Sequence, residues 1–241
     1  MTRTAKIVGV LGGMGPDATV DFLAKVIALT PAEKDQDHVR MLVDHNPKVP
    51  NRQAAILSNG EDPGPALAIM AQGLQEAGAD FLVVPCNTAY VFQDAMTTAT
   101  TIPLISIIDV TIEAISVHCP GASKVGVLAT DGCLRTGIYQ VALANAGVEA
   151  ILPSDEELQE LMHLLNGIKG GVQDDEVALA MRQLANALVD RGAQAIIAGC
   201  TEIPLVLDAT MVTVPLVSST DALAQKTVQL ARGEIPLPGE D

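Results

Sequence analysis

Gly78-Ala79-Asp80-Phe81-Leu82-Val83-Val84-Pro85-Cys86-Asn87-Thr88 and Gly192-Ala193-Gln194-Ala195-Ile196-Ile197-Ala198-Gly199-Cys200-Thr201 are two versions of one stretch. Each runs glycine, alanine, a polar residue, four mostly branched apolar residues, a small or rigid residue, cysteine and a polar residue. The glycine predicts the end of a helix, where a left-handed residue is needed. The apolar run, with no polar alternation, predicts a strand buried on both faces of a parallel sheet. The cysteine then sits at the C-terminal tip of that strand, eight residues after the glycine in both copies.

The repetition extends outward. Lys6-Ile7-Val8-Gly9-Val10-Leu11-Gly12 returns as Lys124-Val125-Gly126-Val127-Leu128-Ala129-Thr130. Ile102-Pro103-Leu104-Ile105-Ser106-Ile107-Ile108-Asp109 returns as Val214-Pro215-Leu216-Val217-Ser218-Ser219-Thr220-Asp221. The offsets are 117 residues at Gly9/Gly126, 114 at the cysteines and 112 at the Pro-x5-Asp pair. Three landmarks in one order at nearly one offset indicate a duplicated α/β unit.

Between the landmarks the chain alternates strands and helices. Strand-like runs are expected at 39–43, 101–109 and 148–153, and helices at 17–27, 65–76, 110–118, 134–146, 174–190 and 221–232. Gly12-Gly13-Met14-Gly15-Pro16 forms a tight turn into the first helix, with Pro16 suited to its first turn. Such a turn resembles a dinucleotide fingerprint only weakly and is better read as a loop offering backbone N–H groups at a helix N-terminus. Ser154-Asp155-Glu156-Glu157 predicts a capping box. Gly167-Ile168-Lys169-Gly170-Gly171 reads as a loop carrying one lysine, and the tail 235–241 as loosely held.

Composition narrows the function. The 241 residues can build a large core, and 49% hydrophobic against 18% charged residues describes a folded chain. Aromatic residues are only 2%, with no Trp, which argues against base-stacking surfaces. A net charge of −15 disfavours nucleic acid and anionic membranes as partners. No apolar run approaches the length of a membrane helix, and the opening Met1-Thr2-Arg3-Thr4-Ala5-Lys6 leads directly into a strand without a signal-like segment. A cytoplasmic location is expected. The four cysteines, Cys86, Cys119, Cys133 and Cys200, lack C-x-x-C spacing, so no zinc site is expected and the thiols should be reduced.

In open parallel sheets ligands bind beyond the C-terminal strand ends. Cys86, Cys200, Thr130 and the Gly12–Gly15 turn all fall there. Two matched thiols suit a reaction that is symmetric in mechanism, inversion at a stereocentre. One removes a proton from one face and the other delivers a proton to the opposite face. One must be thiolate while its partner is thiol, and the pair titrates as a coupled system. Asn87, Thr88 and Thr201 can hydrogen-bond a substrate carboxylate that takes up the developing charge. Arg52 could clamp a carboxylate, or simply be a solvated arginine.

Cys86-Asn87-Thr88-Ala89, Gly199-Cys200-Thr201-Glu202-Ile203-Pro204 and Gly12-Gly13-Met14-Gly15-Pro16 resemble the motifs of the cofactor-independent aspartate/glutamate racemases, the aspartate branch more closely. The resemblance covers essentially the whole chain. It implies an α/β fold of two similar Rossmann-like lobes related by pseudo-twofold symmetry with the active site between them, no cofactor, a small dicarboxylate amino acid as substrate and a homodimer. It assigns 1–103 and 214–241 to the first lobe and 104–213 to the second. It implies Cys86 and Cys200 as the acid–base pair, the first serving the D- and the second the L-enantiomer. Met14, Arg52, Asn87, Thr88, Thr130, Lys169, Thr201 and Glu202 would bind substrate, with Arg52 and Lys169 gripping carboxylates. Glu202 stands where glutamate racemases typically carry His. Tyr90 and Cys133 depart from the family pattern, where His and Thr are common. Aspartate is thus the expected substrate. Glutamate or another amino acid, a non-catalytic dicarboxylate-binding protein, and a regulatory Cys86–Cys200 disulfide are the alternatives.

Overall fold

The computed structural model describes residues 5–240. The opening segment 1–4 and Asp241 lie outside the described residues, so the reading of the extreme N-terminus is not addressed by them. The chain alternates strands and helices: β1 (Val8–Gly12), α1 (Pro16–Leu29), β2 (Met41–His45), α2 (Arg52–Leu57), α3 (Gly64–Glu76), β3 (Phe81–Val83), α4 (Gln93–Ala99), β4 (Leu104–Ile105) and α5 (Ile107–His118). The second half follows with β5 (Lys124–Leu128), α6 (Asp131–Thr136), α7 (Ile138–Asn145), β6 (Glu149–Ile151), α8 (Asp155–Lys169), α9 (Asp175–Asp190), β7 (Ile196–Ala198), β8 (Leu216–Ser218) and α10 (Ser219–Ala231).

All strand pairs are parallel, in two four-stranded sheets ordered β2-β1-β3-β4 and β6-β5-β7-β8. The two orders are the same pattern, as the duplication requires. In each, the chain goes from the inner strand to an outer neighbour and then crosses to the other side. The switch point therefore lies between β1 and β3 in one sheet and between β5 and β7 in the other.

Two compact units result, one formed by residues up to Ile107 with those from Thr220 onward, the other by Ile108–Ser219. This revises the expected boundary. Residues 214–218 do not complete the first unit: β8 pairs with β7, through Ile196–Leu216, Ile197–Val217 and Ala198–Ser218. Likewise β4 pairs with β3, so 104–107 belong to the first unit. Each half's last strand closes its own sheet, and only the following helix changes unit: α5 goes to the second and α10 to the first.

The apolar runs bury as expected. Every residue of β1, β3 and β7 is buried, and Phe22, Phe81, Leu11 and Leu82 are wholly enclosed in the first unit. In the second, Leu128, Leu161, Leu165, Met181, Ala185, Leu188 and Ile196 form one cluster that includes Cys200. Each buried Leu, Ile, Phe or Met among them contributes about 1.5–3 kcal/mol.

Several boundaries move. The helix expected over 134–146 is two helices, because Gly137 adopts φ 73° and ends α6. The strand expected over 101–109 is only Leu104–Ile105, with α5 starting at Ile107. Lys169 lies in the last turn of α8 rather than in a loop. The tail is tied down: Leu237 is buried and Glu240 pairs with Lys6. An apolar residue with a place to pack outweighs the fraying expected of a terminus.

The capping box at α8 forms: Ser154 Oγ accepts from the Glu157 amide at 3.2 Å, and the Ser154 amide donates to Glu157 Oε2 at 2.7 Å. Arg191 adds a bidentate pair, Nη1 to Oε1 at 2.9 Å and Nη2 to Oε2 at 2.7 Å. The Arg191 hydrogen bonds hold the Glu157 carboxyl below its ordinary value. A lowered folded-state pKa contributes stability above the unfolded value of about 4.3, lost as pH falls through the folded value. Glu157→Gln should therefore cost about 0.2–1 kcal/mol at neutral pH, the range of a surface pair. Thermal melts should show that difference closing below about pH 4.

Candidate active site

In the first unit the candidate residues gather at the C-terminal edge of the sheet, on its switch point. Val10 of β1 pairs with Val83 of β3. Gly13 and Met14 follow β1 as Cys86 follows β3, so the two strand ends emerge side by side. The turn is built tightly. Gly13 has φ 91°, and a Cβ there would lie 2.5 Å from the Asn46 carbonyl carbon and 2.7 Å from the Asn46 and Pro47 nitrogens. Thr19 Oγ1 of α1 accepts from the Gly13 amide at 2.8 Å and donates to the Gly15 carbonyl at 2.9 Å. Met14, Cys86, Asn87 and Thr88 are all buried.

Arg52 enters the same edge from β2. Asn51 caps α2, its side chain accepting from the amides of Gln53 at 2.9 Å and Ala54 at 3.1 Å, which places Arg52 first in the helix. Arg52 Nη1 donates to the carbonyls of Val49 at 3.2 Å and Pro50 at 3.1 Å, while its Nε is buried with no partner among the described residues. This is a guanidinium oriented by backbone and holding a donor in reserve, unlike a solvated surface arginine. Leaving such a donor unmatched costs about 1–3 kcal/mol, which an anion would offset. Gln53 reaches toward Thr88 Oγ1, at 3.5 Å.

The second unit repeats the arrangement. Leu128 of β5 pairs with Ala198 of β7, and Thr130 and Cys200 each lie two residues further on, adjacent at the switch point. Thr130, Cys200, Thr201 and Glu202 are buried. The Cys200 thiol donates to Glu202 Oε2 at 2.9 Å, and Thr201 Oγ1 is 3.5 Å from the same oxygen. Glu202 Oε1 is buried without a partner among the described residues. Burial pushes the Cys200 thiol well above its usual value, the Glu202 charge adds to the rise, and the Lys169 ammonium opposes it. Lys169 thus acts on Cys200 from the end of α8.

Sequence reasoning missed Tyr139. It is wholly buried and hydrogen-bonded to Thr111 and Ser219, and it feels the charge of both Cys133 and Cys200. Its burial, reinforced by Cys133, raises the phenol strongly. Its ring fixes the residue before Cys200: a Cβ on Gly199 would lie 2.8 Å from Tyr139 Cε2. The only signal in the sequence was scarcity, since Tyr139 is one of two tyrosines. The other, Tyr90, donates its hydroxyl to the Ile105 carbonyl at the end of β4. Cys133 is fully buried in α6. Both departures from the family pattern are therefore buried in their own units, and none of the four cysteines is in a disulfide.

A cleft of about 400 Å³ lined by Lys6, Asp37, His38, Arg40 and Arg232 opens at the opposite edge of the first sheet, before β1 and β2, and contains none of these residues. No described helix is long and apolar enough to cross a membrane.

A sequence model of the Asp/Glu/hydantoin racemases matches residues 11–227, nearly the full chain. The protein belongs to the Asp/Glu/hydantoin racemase family. A broad specificity amino-acid racemase, RacX of Bacillus subtilis (strain 168), is 30% identical over 226 residues, covering 92% of this chain and 96% of that protein. An aspartate racemase from Picrophilus torridus superposes with a TM-score of 0.81 at 28% identity, covering 95% of this chain and 94% of that one. An aspartate racemase homologue from Pyrococcus horikoshii shares the fold, with a TM-score of 0.76 at 24% identity over 94% and 99% of the two chains. Two parallel four-stranded sheets of one strand order are therefore the racemase fold, and the family's reaction is racemisation, an isomerisation.

Proposed function

We propose that the protein is a cofactor-independent racemase interconverting L- and D-aspartate, with Cys86 and Cys200 as its two acid–bases. The observation that carries this is positional. Each unit presents one buried cysteine just past the inner strand at its own sheet's switch point. A protein that only bound its ligand would have no need of the second thiol. In the reaction, the thiolate of one cysteine takes the α-proton while the thiol of the other protonates the opposite face. Arg52 and Lys169 hold carboxylates, and Asn87, Thr88, Thr130 and Thr201 hydrogen-bond the α-carboxylate as it takes up carbanion charge. Met14 lines the pocket.

Aspartate is favoured by the Picrophilus relative, whereas the RacX relative, a broad specificity amino-acid racemase, supports a wider range of amino acids. The protein is proposed to act in the cytoplasm as a homodimer. Val43 on the edge strand β2, Leu57 on α2 and Ile69 on α3 are exposed apolar side chains that a second copy could cover.

The deciding experiment is a chiral assay of D- and L-Asp, Glu, Ala and Ser in deuterated water without added cofactor. Racemisation of aspartate, with solvent deuterium entering the α-position of the product, is expected. Turnover confined to another amino acid would correct the substrate. Binding without interconversion or exchange would establish a dicarboxylate receptor instead.

A further inference from the structure

The duplication makes the two cysteines equivalent in position, but their surroundings are not equivalent. Aligning Cys86-Asn87-Thr88 with Cys200-Thr201-Glu202 places Thr88 where the second unit has Glu202. We propose that Glu202 is a positioning residue that holds Cys200 as a thiol in the ligand-free protein, leaving Cys86 as the cysteine that begins a turnover as the base.

The geometry is direct. Glu202 Oε2 receives the Cys200 thiol at 2.9 Å, and both residues are buried, Cys200 at 6% and Glu202 at 3% exposure. A carboxylate accepts a hydrogen bond from S–H but repels a thiolate, so the contact favours one protonation state of the sulfur. Other charged or titratable groups also face Cys200. Lys169 on α8 favours the thiolate, whereas Tyr139 on α7, with Cys133 of α6 beside it, supplies no cation. The net effect of burial and these neighbours is upward. A pair that shares one mobile proton needs one member to release it first, and the structure assigns that role to Cys86.

This proposal rests on the racemase reading for its consequence, but its test does not. The ultraviolet thiolate absorbance of the ligand-free protein would be titrated against pH. Subtracting a Cys200→Ser variant isolates Cys200, and subtracting Cys86→Ser isolates Cys86. Cys200 is expected to titrate above the ordinary thiol value of about 8.5. Glu202→Gln, which keeps shape and loses charge, should lower the Cys200 midpoint by about one pH unit or more, a tenfold rise in thiolate, without moving Cys86. Glu202→Asp should recover part of the shift, and circular dichroism would confirm the fold of each variant. A Cys200 midpoint at or below the ordinary thiol value of about 8.5, or one unmoved in Glu202→Gln, overturns the proposal whether or not the protein racemises anything.

Kinetics supply the second readout. Enantiomers have equal free energy, so kcat/KM is the same in both directions at every pH. The asymmetry therefore appears in kcat and KM taken separately. The substrate deprotonated by Cys86 should have the lower KM, and the two KM values should converge in Glu202→Gln. Convergence already present in the unsubstituted enzyme overturns the kinetic consequence.

Discussion

Replacing either Cys86 or Cys200 with alanine is expected to lower racemisation by about 10³-fold or more, near the upper end of what one positioned acid or base supplies. The two single variants should suffer alike, and the double variant little more, because removing one member already disables the pair. The informative residue of activity is exchange. With Cys200 replaced, Cys86 can still remove a proton from its own face and return one from solvent to the same face. One enantiomer should thus gain deuterium at the α-carbon without inverting, and in the Cys86 variant it should be the other enantiomer. Cys119 provides the control. It is buried in the loop after α5, away from the strand tips, and Cys119→Ala should leave turnover intact. Chiral chromatography with mass detection reads both outcomes. Undiminished racemisation in either active-cysteine variant would refute the two-base reading.

Gly13→Ala should be the most damaging small substitution in the first unit. The position adopts φ 91°, which costs a residue with a Cβ about 1–2 kcal/mol. The methyl group would also meet Asn46 and Pro47 backbone atoms at 2.5–2.7 Å. Backbone cannot rotate aside as a side chain can. Relief requires separating the turn after β1 from the turn after β2, which Asn46 N–H to Gly12 carbonyl holds at 3.1 Å. We expect a loss of about 3–5 kcal/mol, within the range of severe core lesions, read by denaturant unfolding. Folded variant should also show a raised KM, because the same movement displaces the loop running from Asn46 to Arg52. A loss below about 1 kcal/mol, the scale of an ordinary surface change, would mean that the two turns are not in rigid contact.

Both expectations begin in the sequence, at different depths. The glycine turn, the cysteine tips and the Pro-x5-Asp strands could be read directly, since each is a local signal of chain direction or apolar run. Lys169 was misplaced because Gly167 and Gly170 suggest a loop, yet α8 continues to Lys169 on the strength of Leu161, Leu164, Leu165 and Ile168 burying one face. The boundary between units was misplaced for a related reason. Strand pairing through β8 is a long-range choice, and Val214-Pro215-Leu216-Val217 carries no mark of which sheet it will join. Arg52 was ambiguous until its guanidinium proved to be held by the Val49 and Pro50 carbonyls.

The duplication, the parallel sheets and the cysteine at each strand tip follow from the order of residues alone, because helix and strand periodicity and their repetition are properties of neighbours along the chain. Tertiary packing is what sets Tyr139 against Gly199, brings the Lys169 charge to bear on Cys200 and turns the Glu202 carboxylate to accept the hydrogen bond of the Cys200 thiol. Contacts between distant residues, and the direction in which a buried side chain turns, are set by how the layers pack. Repetition in the chain supplied two similar thiols, and packing made them different.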